Sequence, residues 1–156
     1  MKPSDDDWFE RERLHRAAAA GDLAEVQRLV GRGAAIDAFD ELSRTPLHYA
    51  AENEHYKVAL FLLEHGADVN AHDESRVGET ALCLAAQTDY PEMVELMLKH
   101  GADPDIIGWV GLTARLRARR RSDDDGRKIS AIIDKYRPEK PGSESTFPVR
   151  TARPKP

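Results

Sequence analysis

A unit of about 33 residues recurs along this 156-residue chain, and it constrains the fold more than any other sequence feature. A Gly-Ala pair recurs at intervals of 33 and 35 residues, at Gly33-Ala34, Gly66-Ala67 and Gly101-Ala102. A threonine recurs at intervals of 35 and 33 residues, at Thr45, Thr80 and Thr113. Such a period is typical of a solenoid, in which each unit buries its apolar face against its neighbours. The sequence therefore predicts a stack of similar units.

Each unit contains two stretches whose apolar residues have helical spacing. The first stretch has the pattern Leu-x-x-Ala-Ala, and the second carries apolar residues three and four positions apart. Thr45 followed by Pro46 predicts a helix start, because the hydroxyl can accept an amide hydrogen and proline there loses no helical hydrogen bond. Gly66 predicts the end of the second helix, because glycine adopts the left-handed conformation without steric cost. Every unit is therefore predicted to be two short helices.

The second unit carries a recognisable motif at both of its helices. Residues 45–51 are Thr-Pro-Leu-His-Tyr-Ala-Ala, and residues 62–71 are Leu-Leu-Glu-His-Gly-Ala-Asp-Val-Asn-Ala. These segments resemble the ankyrin repeat, and the neighbouring units match well. The resemblance implies an all-α fold, an ankyrin-repeat solenoid of about four helix-turn-helix repeats joined by hairpin-like loops. It assigns residues 1–136 to the repeat domain, with repeats at about 10–43, 44–77, 78–110 and 111–136.

Several positions depart from the ankyrin pattern. Between the two helices of a unit that family usually has Asn-Gly; Gly21 keeps the glycine, whereas Glu54 and Asp89 replace it. We expect both replacements to be left-handed, a conformation that strains a residue with a β-carbon. In the fourth unit Arg115 stands where a core leucine belongs, which indicates a terminal cap. Its second helix is expected to be displaced by about three residues, with the extra length near residues 122–125.

Charge and cysteine content argue against several classes of function. The formal net charge of −5 predicts repulsion from a nucleic-acid backbone or an anionic membrane. Cys83 is the single cysteine, so neither an intrachain disulfide nor a cluster of thiolate ligands can form. The first seven residues are acidic rather than signal-like, and no run of 18 apolar residues follows. We therefore expect a cytoplasmic protein.

The six histidines and Cys83 are the candidate catalytic or metal-binding groups of the sequence. Four of the six histidines recur at equivalent positions of successive units, namely His15 with His48 and His65 with His100. This recurrence favours hydrogen bonding within the scaffold. His72 has only Asp73 and Glu74 beside it as possible co-ligands, and Cys83 is expected to be buried as a small apolar residue. With no phosphate-binding glycine loop or nucleophile motif in the sequence, we predict no enzyme activity, no cofactor and no metal.

Apolar residues in the loops between units point to a binding surface. Water-facing loops seldom carry so many, although packing of loop on loop would also explain them. Trp109 fits either a buried corner or an interface. In the ankyrin family the loops and the exposed positions of the first helices form a concave surface that binds proteins. By that resemblance, the predicted partner-binding residues are Phe39, Glu41, Leu42, Arg44, Glu52, Asn53, His72, Glu74, Arg76, Val77, Glu79, Gln87, Thr88, Ile107, Trp109, Val110, Leu112, Arg119 and Arg120.

The resemblance predicts a non-enzymatic protein–protein interaction module that is monomeric on its own and binds a protein of unknown identity. The chain resembles the short freestanding ankyrin-repeat proteins of bacteria, so its expected role is a small cytoplasmic adaptor, inhibitor or antitoxin-like neutraliser. The alternative is a binder of nucleic acid or of a phosphate-bearing ligand through the arginines of residues 115–121 and a basic tail. A solvated capping helix paired with residues 123–125 would equally explain those arginines.

Residues 137–156 contain five of the nine prolines and show no apolar period, which predicts a disordered basic tail. Deleting residues 138–156 should change the free energy of unfolding by less than about 0.5 kcal/mol, because such a segment buries little apolar surface. Urea denaturation of the full and shortened chains measures this difference. A larger loss, or strong amide-exchange protection around Phe147, would show that the tail docks on the repeats.

Overall fold

The computed structural model describes residues 7–76 and 78–136, with side chains from residue 12 onward. The predicted tail and Val77 lie outside this part of the chain. The described residues form eight α-helices, which follow one another as four pairs: α1 (Asp7–Ala20) and α2 (Leu23–Gly31), α3 (Pro46–Glu52) and α4 (Tyr56–Glu64), α5 (Ala81–Ala85) and α6 (Pro91–Lys99), and α7 (Ala114–Arg120) and α8 (Asp124–Lys135).

The helices form two layers. In one layer α1 contacts α3, α3 contacts α5, and α5 contacts α7; in the other, α2 contacts α4 and α6 contacts α8. Each pair also packs its own two helices together, so the apolar core runs continuously from the first pair to the last. This arrangement confirms the predicted all-α solenoid. Among the described residues no helix has both the length and the apolar character needed to cross a bilayer.

Threonines start the first helix of the last three pairs, as predicted. The Thr80 hydroxyl accepts the Cys83 amide hydrogen at 3.2 Å, and the Thr113 hydroxyl accepts that of Leu116 at 3.1 Å. At Thr45, the hydroxyl oxygen lies 2.8 Å from His48 Nδ1, which also accepts the Thr45 amide hydrogen at 3.0 Å. These bonds satisfy amide groups that have no partner within the helix.

Glycines end the second helices in the left-handed conformation, with φ of +90° at Gly33, +89° at Gly66 and +89° at Gly101. A β-carbon at Gly66 would meet no atom within 4 Å, so backbone conformation and not space selects glycine there. The turn lets the Ala67 amide donate to the Leu62 carbonyl at 3.0 Å, which caps the helix. The prediction for Gly66 is confirmed.

Small and large apolar residues occupy different parts of the core. Ala50 and Ala51 are fully buried and let α3 lie close to its neighbouring helices, while Leu62 fills the layer between units. Cys83 is 1% exposed and packs as a small apolar side chain, as predicted. Truncating a buried leucine such as Leu62 to alanine would cost about 2–5 kcal/mol.

In each of the first two units, one histidine forms a hydrogen bond with the loop that follows the unit. His15 Nε2 lies 2.7 Å from the Ala38 carbonyl oxygen, and His48 Nε2 lies 2.5 Å from that of Glu79. The predicted scaffold role of both is therefore confirmed. Burial lowers the pKa of His48 from 6.5 to about 4, so its imidazole is neutral at neutral pH and donates from Nε2.

The fourth pair differs from the expectation at its second helix. The helix α8 begins 10 residues after the start of α7, the same interval that separates α3 from α4 and α5 from α6. The predicted displacement near residues 122–125 is therefore wrong; α8 is instead longer at its end, with 12 residues against nine in α4 and α6. The first turn of α8 packs closely against Arg121, because a β-carbon at Gly126 would lie 2.2 Å from Arg121 Cβ.

The two turns that replace glycine behave differently. Glu54 has a φ of +61°, as predicted, but Asp89 is not among the residues with positive φ, so its predicted left-handed conformation is wrong. Arg121 explains the difference. Its guanidinium donates to the carbonyl oxygens of Ala86 at 3.2 Å and Thr88 at 2.5 Å, and to the Asp89 carboxylate at 2.6 Å. A side chain from the next unit thus satisfies the end of α5 without a left-handed residue.

Glu54→Gly should raise the free energy of unfolding by up to about 1 kcal/mol, because glycine adopts a positive φ without strain. Loss of the 3.2 Å bond from the Asp89 amide to Glu54 Oε1 offsets part of the gain. Asp89→Gly is the matched control and should lower stability, since it removes an acceptor for Arg121. Urea denaturation measures both, and an equal gain in the two variants would contradict this account of the turns.

Acidification should destabilise the fold through His48. An unfolded histidine binds a proton near pH 6.5, whereas folded His48 stays neutral down to about pH 4, so this contribution is complete above pH 6.5 and is lost as the pH falls. Between pH 7 and pH 5 the loss should be about 2 kcal/mol. His48→Gln should show a correspondingly flatter dependence in urea denaturation at the two pH values. Equal pH dependence in both proteins would contradict the assignment.

Candidate partner-binding groove

Three loops connect the helix pairs: loop 1 (residues 32–45), loop 2 (residues 65–80) and loop 3 (residues 100–113). Loop 3 contains a short 3-10 helix at Trp109–Gly111. The predicted binding residues fall mostly on these loops, so the internal bonding of each loop decides which side chains it presents.

Asp40 organises the tip of loop 1. One carboxylate oxygen accepts the amide hydrogens of Leu42 at 2.9 Å and Arg44 at 3.0 Å, and the other accepts the Tyr49 hydroxyl hydrogen. Burial and the bond to Asp40 raise the pKa of Tyr49 well above its usual value, so its hydroxyl stays protonated. These bonds hold the tip in a shape that leaves Leu42 70% exposed.

Asp73 performs the same task in loop 2 and connects it to loop 1. Its carboxylate accepts hydrogen bonds from the Ser75 amide and hydroxyl and, at 2.8 Å, from the Ser43 hydroxyl of loop 1. The hydroxyls of Ser75 and Ser43 hold the pKa of the Asp73 carboxyl below its usual range. Its carbonyl accepts the Arg76 and Gly78 amide hydrogens, and a β-carbon at Gly78 would lie 2.8 Å from the Asp73 nitrogen. Loop 2 is therefore closed on itself.

Loop 3 presents its apolar side chains to solvent. Ile107, Trp109 and Val110 are 65%, 65% and 66% exposed. Packing of loop on loop therefore does not account for these three residues, although Leu112 is half-buried. Val110 has a φ of +55°, which is strained for a β-branched residue.

One open groove of about 410 Å³ joins the three loops, and we call it the loop groove. It is lined by Glu41, Leu42, Ser43, Arg44, His48, Arg76, Gly78, Glu79 and Trp109. Six of these nine residues belong to the predicted binding set. Ser43, His48 and Gly78 do not belong to that set; His48, whose recurrence in the sequence predicts a scaffold position, also lines the groove.

The floor of the loop groove is a chain of bonded polar groups. The Glu79 carbonyl accepts the His48 hydrogen bond, and its carboxylate pairs with the guanidinium of Arg117, whose side chain is 12% exposed. Arg117 was not predicted as a binding residue. The alternation of arginines along α7 was the available signal, since it points Arg117 away from the face that carries Arg115 and Arg119.

Several predicted residues lie at the end of a first helix or just after it. Glu52 pairs with Arg44 at 2.6 Å, and the Arg44 guanidinium lies over the Tyr49 ring, 5.7 Å from its centre. Three other predicted residues donate side-chain hydrogen bonds to backbone carbonyls of the helix that each of them follows, at distances of 2.8 to 3.4 Å: Asn53, Gln87 and Thr88. Their part in binding stays a prediction.

His72, Glu74 and Phe39 belong to the predicted set and do not line the loop groove. His72 donates from Nδ1 to the Asn70 carbonyl at 2.7 Å, and its Nε2 is 3.7 Å from the Glu74 carboxylate. Phe39 is 45% exposed on loop 1. Val77 lies outside the described residues.

The structure separates Arg119 and Arg120 from the loop groove. Arg119 pairs at 3.2 Å with Asp134 of α8, and Arg120 is exposed at the end of α7. Their part in binding also stays a prediction.

Most arginines of residues 115–121 are neutralised within the fold. Arg115 pairs with Asp105 at 2.8 Å and with Asp134 at 2.9 Å, and Arg121 pairs with Asp89 and Asp123. The Arg115 bond holds the pKa of the Asp105 carboxyl below its usual range, and the Arg121 bond lowers that of Asp123 to about 2. The expected pairing with residues 123–125 is found only for Arg121 and Asp123, because the other partners come from distant segments.

One cluster of carboxylates has the spacing of a metal site. Oxygen atoms of Asp89, Asp123 and Asp125 lie within 4.8 Å of one another. The guanidinium of Arg121 contacts two of these groups, at 2.6 Å from Asp89 and 2.5 Å from Asp123. Arg121 therefore supplies the positive charge that these carboxylates need, and the cluster acts as a link between the third and fourth pairs.

Comparison with known proteins extends the structural result. Mouse Ankyrin repeat domain-containing protein 40 is 43% identical over 60 residues, which are 38% of this chain and 16% of that protein. Mouse Inversin is 47% identical over 73 residues, 46% of this chain and 7% of that protein. Palmitoyltransferase akr1 of Schizosaccharomyces pombe is 46% identical over 59 residues, 37% of this chain and 9% of that protein. The chain thus spans less than a fifth of each of these relatives.

A family model described as "Ankyrin repeats (3 copies)" matches residues 14–108. The match begins within α1 and ends in loop 3, so it covers the first three helix pairs and leaves out α7 and α8. Since it spans more than half of the sequence and coincides with the stacked pairs, the protein belongs to the ankyrin-repeat family.

Proposed function

We propose that this protein is a non-enzymatic binding module that holds a segment of a partner protein in the loop groove. Ankyrin repeats generally mediate protein–protein interaction. The observation that carries the proposal is the joining of three loops into one groove with an exposed tryptophan, Trp109, on its wall. A chain that covers a partner's functional surface in this way would act as a small cytoplasmic adaptor, inhibitor or antitoxin-like neutraliser.

The bonding of the loops supports this proposal. Asp40 fixes the tip of loop 1, Asp73 closes loop 2, and the Ser43 hydroxyl connects the two. Binding to a surface that is already ordered avoids the entropic cost of arranging it. Loops 1 and 2 can therefore present Leu42 and Arg76 in fixed positions before a partner arrives.

The exposure of the apolar loop residues supports it further. Leu42 and Trp109 are 70% and 65% exposed on the wall of one groove, and Ile107 and Val110 extend the apolar surface along loop 3. Tryptophan is enriched among the residues that dominate the energy of protein interfaces. Exposed apolar residues clustered beside polar ones are typical of an interaction site.

Catalysis and nucleic-acid binding receive less support. Cys83 is 1% exposed and has no access to a substrate, and the ankyrin family is typically a non-enzymatic interaction module. The name palmitoyltransferase belongs to a relative of which only 9% is matched, through its repeats. Most arginines of α7 are paired with carboxylates, which removes most of the positive charge that a phosphate backbone would need.

Trp109→Ala should weaken binding to a partner captured from a lysate of the source organism by at least about 30-fold, because truncating the centre of an interface typically costs 2 kcal/mol or more. The same change should lower the free energy of unfolding by less than about 1.5 kcal/mol, since the ring is 65% exposed. Affinity for the purified partner and the thermal midpoint are measured on the same preparation.

Tyr136→Ala is the control, because this aromatic side chain is 38% exposed on the far end of α8 and does not line the groove. Its affinity should match that of the unmodified chain within about twofold. A Trp109→Ala protein with a large loss of stability and unchanged affinity of its folded fraction would remove the loop groove from the proposal.

A further inference from the structure

The floor of the loop groove has little capacity to select a ligand's polar groups. The Ser43 hydroxyl donates to Asp73, and the His48 Nε2 hydrogen is taken by the Glu79 carbonyl. The Glu79 carboxylate is paired with Arg117. These groups already have partners inside the fold. The selection of a ligand therefore depends on the residues that form the walls of the groove, Leu42, Trp109 and Arg76.

Arg76 differs from the other arginines around the groove. The only hydrogen bond of its side chain within the described residues is a long contact of 3.5 Å from Nη1 to the Glu41 carbonyl, and no carboxylate oxygen of that part of the chain lies within 4.0 Å of the guanidinium. Arg44 and Arg117, in contrast, each pair with a carboxylate. A guanidinium has five N–H donors and binds a carboxylate through two parallel hydrogen bonds. The Arg76 charge acts on the nearby Asp73 carboxylate without pairing directly with it, so the guanidinium keeps unused donors on the wall of the groove.

Apolar surface stands on the same groove. Leu42 and Trp109 both line it and are mostly exposed, and the bonds of Asp40 and Asp73 fix the loops that carry Leu42 and Arg76. A volume of about 410 Å³ suits a few side chains of a bound segment. The groove therefore combines one apolar site and one cationic site.

We infer that the loop groove binds a protein segment in which a large apolar side chain stands next to a carboxylate. The apolar group packs between Leu42 and Trp109, and the carboxylate pairs with Arg76. This inference rests on the proposed function and specifies the partner's chemistry at the same site.

A single carboxylate fits the surroundings better than a phosphate backbone does. Glu41 lies on the same groove without a paired cation among the described residues, and the chain as a whole carries a net charge of −5. A polyanion would meet repulsion from both at each of its phosphates, whereas a single carboxylate carries one charge, and its pairing with Arg76 would offset the repulsion from Glu41. Charge complementarity therefore favours a protein segment with an isolated acidic group.

The test uses a phage-displayed library of random dodecapeptides, selected on the full chain. The selected sequences should contain an aromatic or large aliphatic residue within about three positions of Asp or Glu, because both must reach one groove. One selected peptide is then synthesised and titrated in a Trp8→Phe background. Trp109 is then the only tryptophan of the chain, so its fluorescence reports binding at the groove, and isothermal titration calorimetry measures the affinity of Trp109→Ala, which lacks this signal.

Charge variants test the role of Arg76. Arg76→Glu should weaken peptide binding by at least 10-fold (about 1.4 kcal/mol) and Arg76→Gln by less, with thermal midpoints unchanged because the side chain is exposed. Arg32→Glu, directly after α2 and not among the residues that line the groove, is the matched control and should stay within about twofold. A peptide whose acid is replaced by lysine should bind Arg76→Glu better than it binds the unmodified chain.

The remaining outcomes overturn the inference in different ways. Selected peptides that lack an acid, or binding that Trp109→Ala abolishes and Arg76→Glu leaves unchanged, would refute the carboxylate and keep the proposed function. Binding insensitive to both variants would refute the groove and hence both proposals. A selection without any binder would refute the inference alone, since capture of a partner tests the function separately. Tighter binding of a single-stranded DNA 20-mer, lost in Arg76→Glu, would replace the protein segment by nucleic acid.

Discussion

The hydrogen bond from a histidine on a first helix to the carbonyl of the next loop sets the geometry on which the rest of the structure depends. His15 makes this bond to Ala38 and His48 makes it to Glu79, so the first two loops are held at a similar height above the helices. Cys83 occupies the equivalent position in the third pair, and a thiol cannot span that distance. Loop 3 approaches it directly, since a β-carbon at Gly108 would lie 3.6 Å from Cys83 Sγ. The third pair, in which cysteine stands in place of histidine, is therefore followed by the loop that exposes a tryptophan.

Features that depend on neighbouring residues or that recur in every unit could be predicted from the sequence, whereas individual side-chain bonds between units could not. The helix start at Thr45, the helix end at Gly66 and the left-handed Glu54 follow from residues close in sequence, whose conformational preferences decide the outcome. The conformation of Asp89 depends on Arg121, which lies 32 residues further along the chain. No local sequence pattern indicates such a bond. The prediction of a left-handed Asp89 was wrong because a tertiary contact replaced a local one.

The same distinction limits what the sequence says about the candidate site. Apolar loop residues such as Leu42 and Trp109 are visible because composition alone marks them as unusual. The charge state of the surface is not visible in this way, because the partner of each arginine is distant: Arg117 pairs with Glu79 across 38 residues. The arginine-rich helix α7 is mostly neutralised by such pairs, while the isolated Arg76 keeps its charge. Counting arginines along the sequence therefore does not show which of them lack a paired carboxylate.

Two unfavourable features stand close to the loop groove, and the core requires neither. Val110 holds a strained positive φ beside Trp109, and Arg117 is largely buried with its Nε lacking a hydrogen-bond partner within the described residues. A strained residue costs about 1–3 kcal/mol, and an unpaired buried polar group costs a similar amount. Elsewhere among the described residues, threonine caps and left-handed glycines remove most such penalties, and Glu54 is the exception. Their concentration around Glu79 and Trp109 is explained if this surface is shaped for a partner, because a binding surface can keep local strain that a folding core would lose.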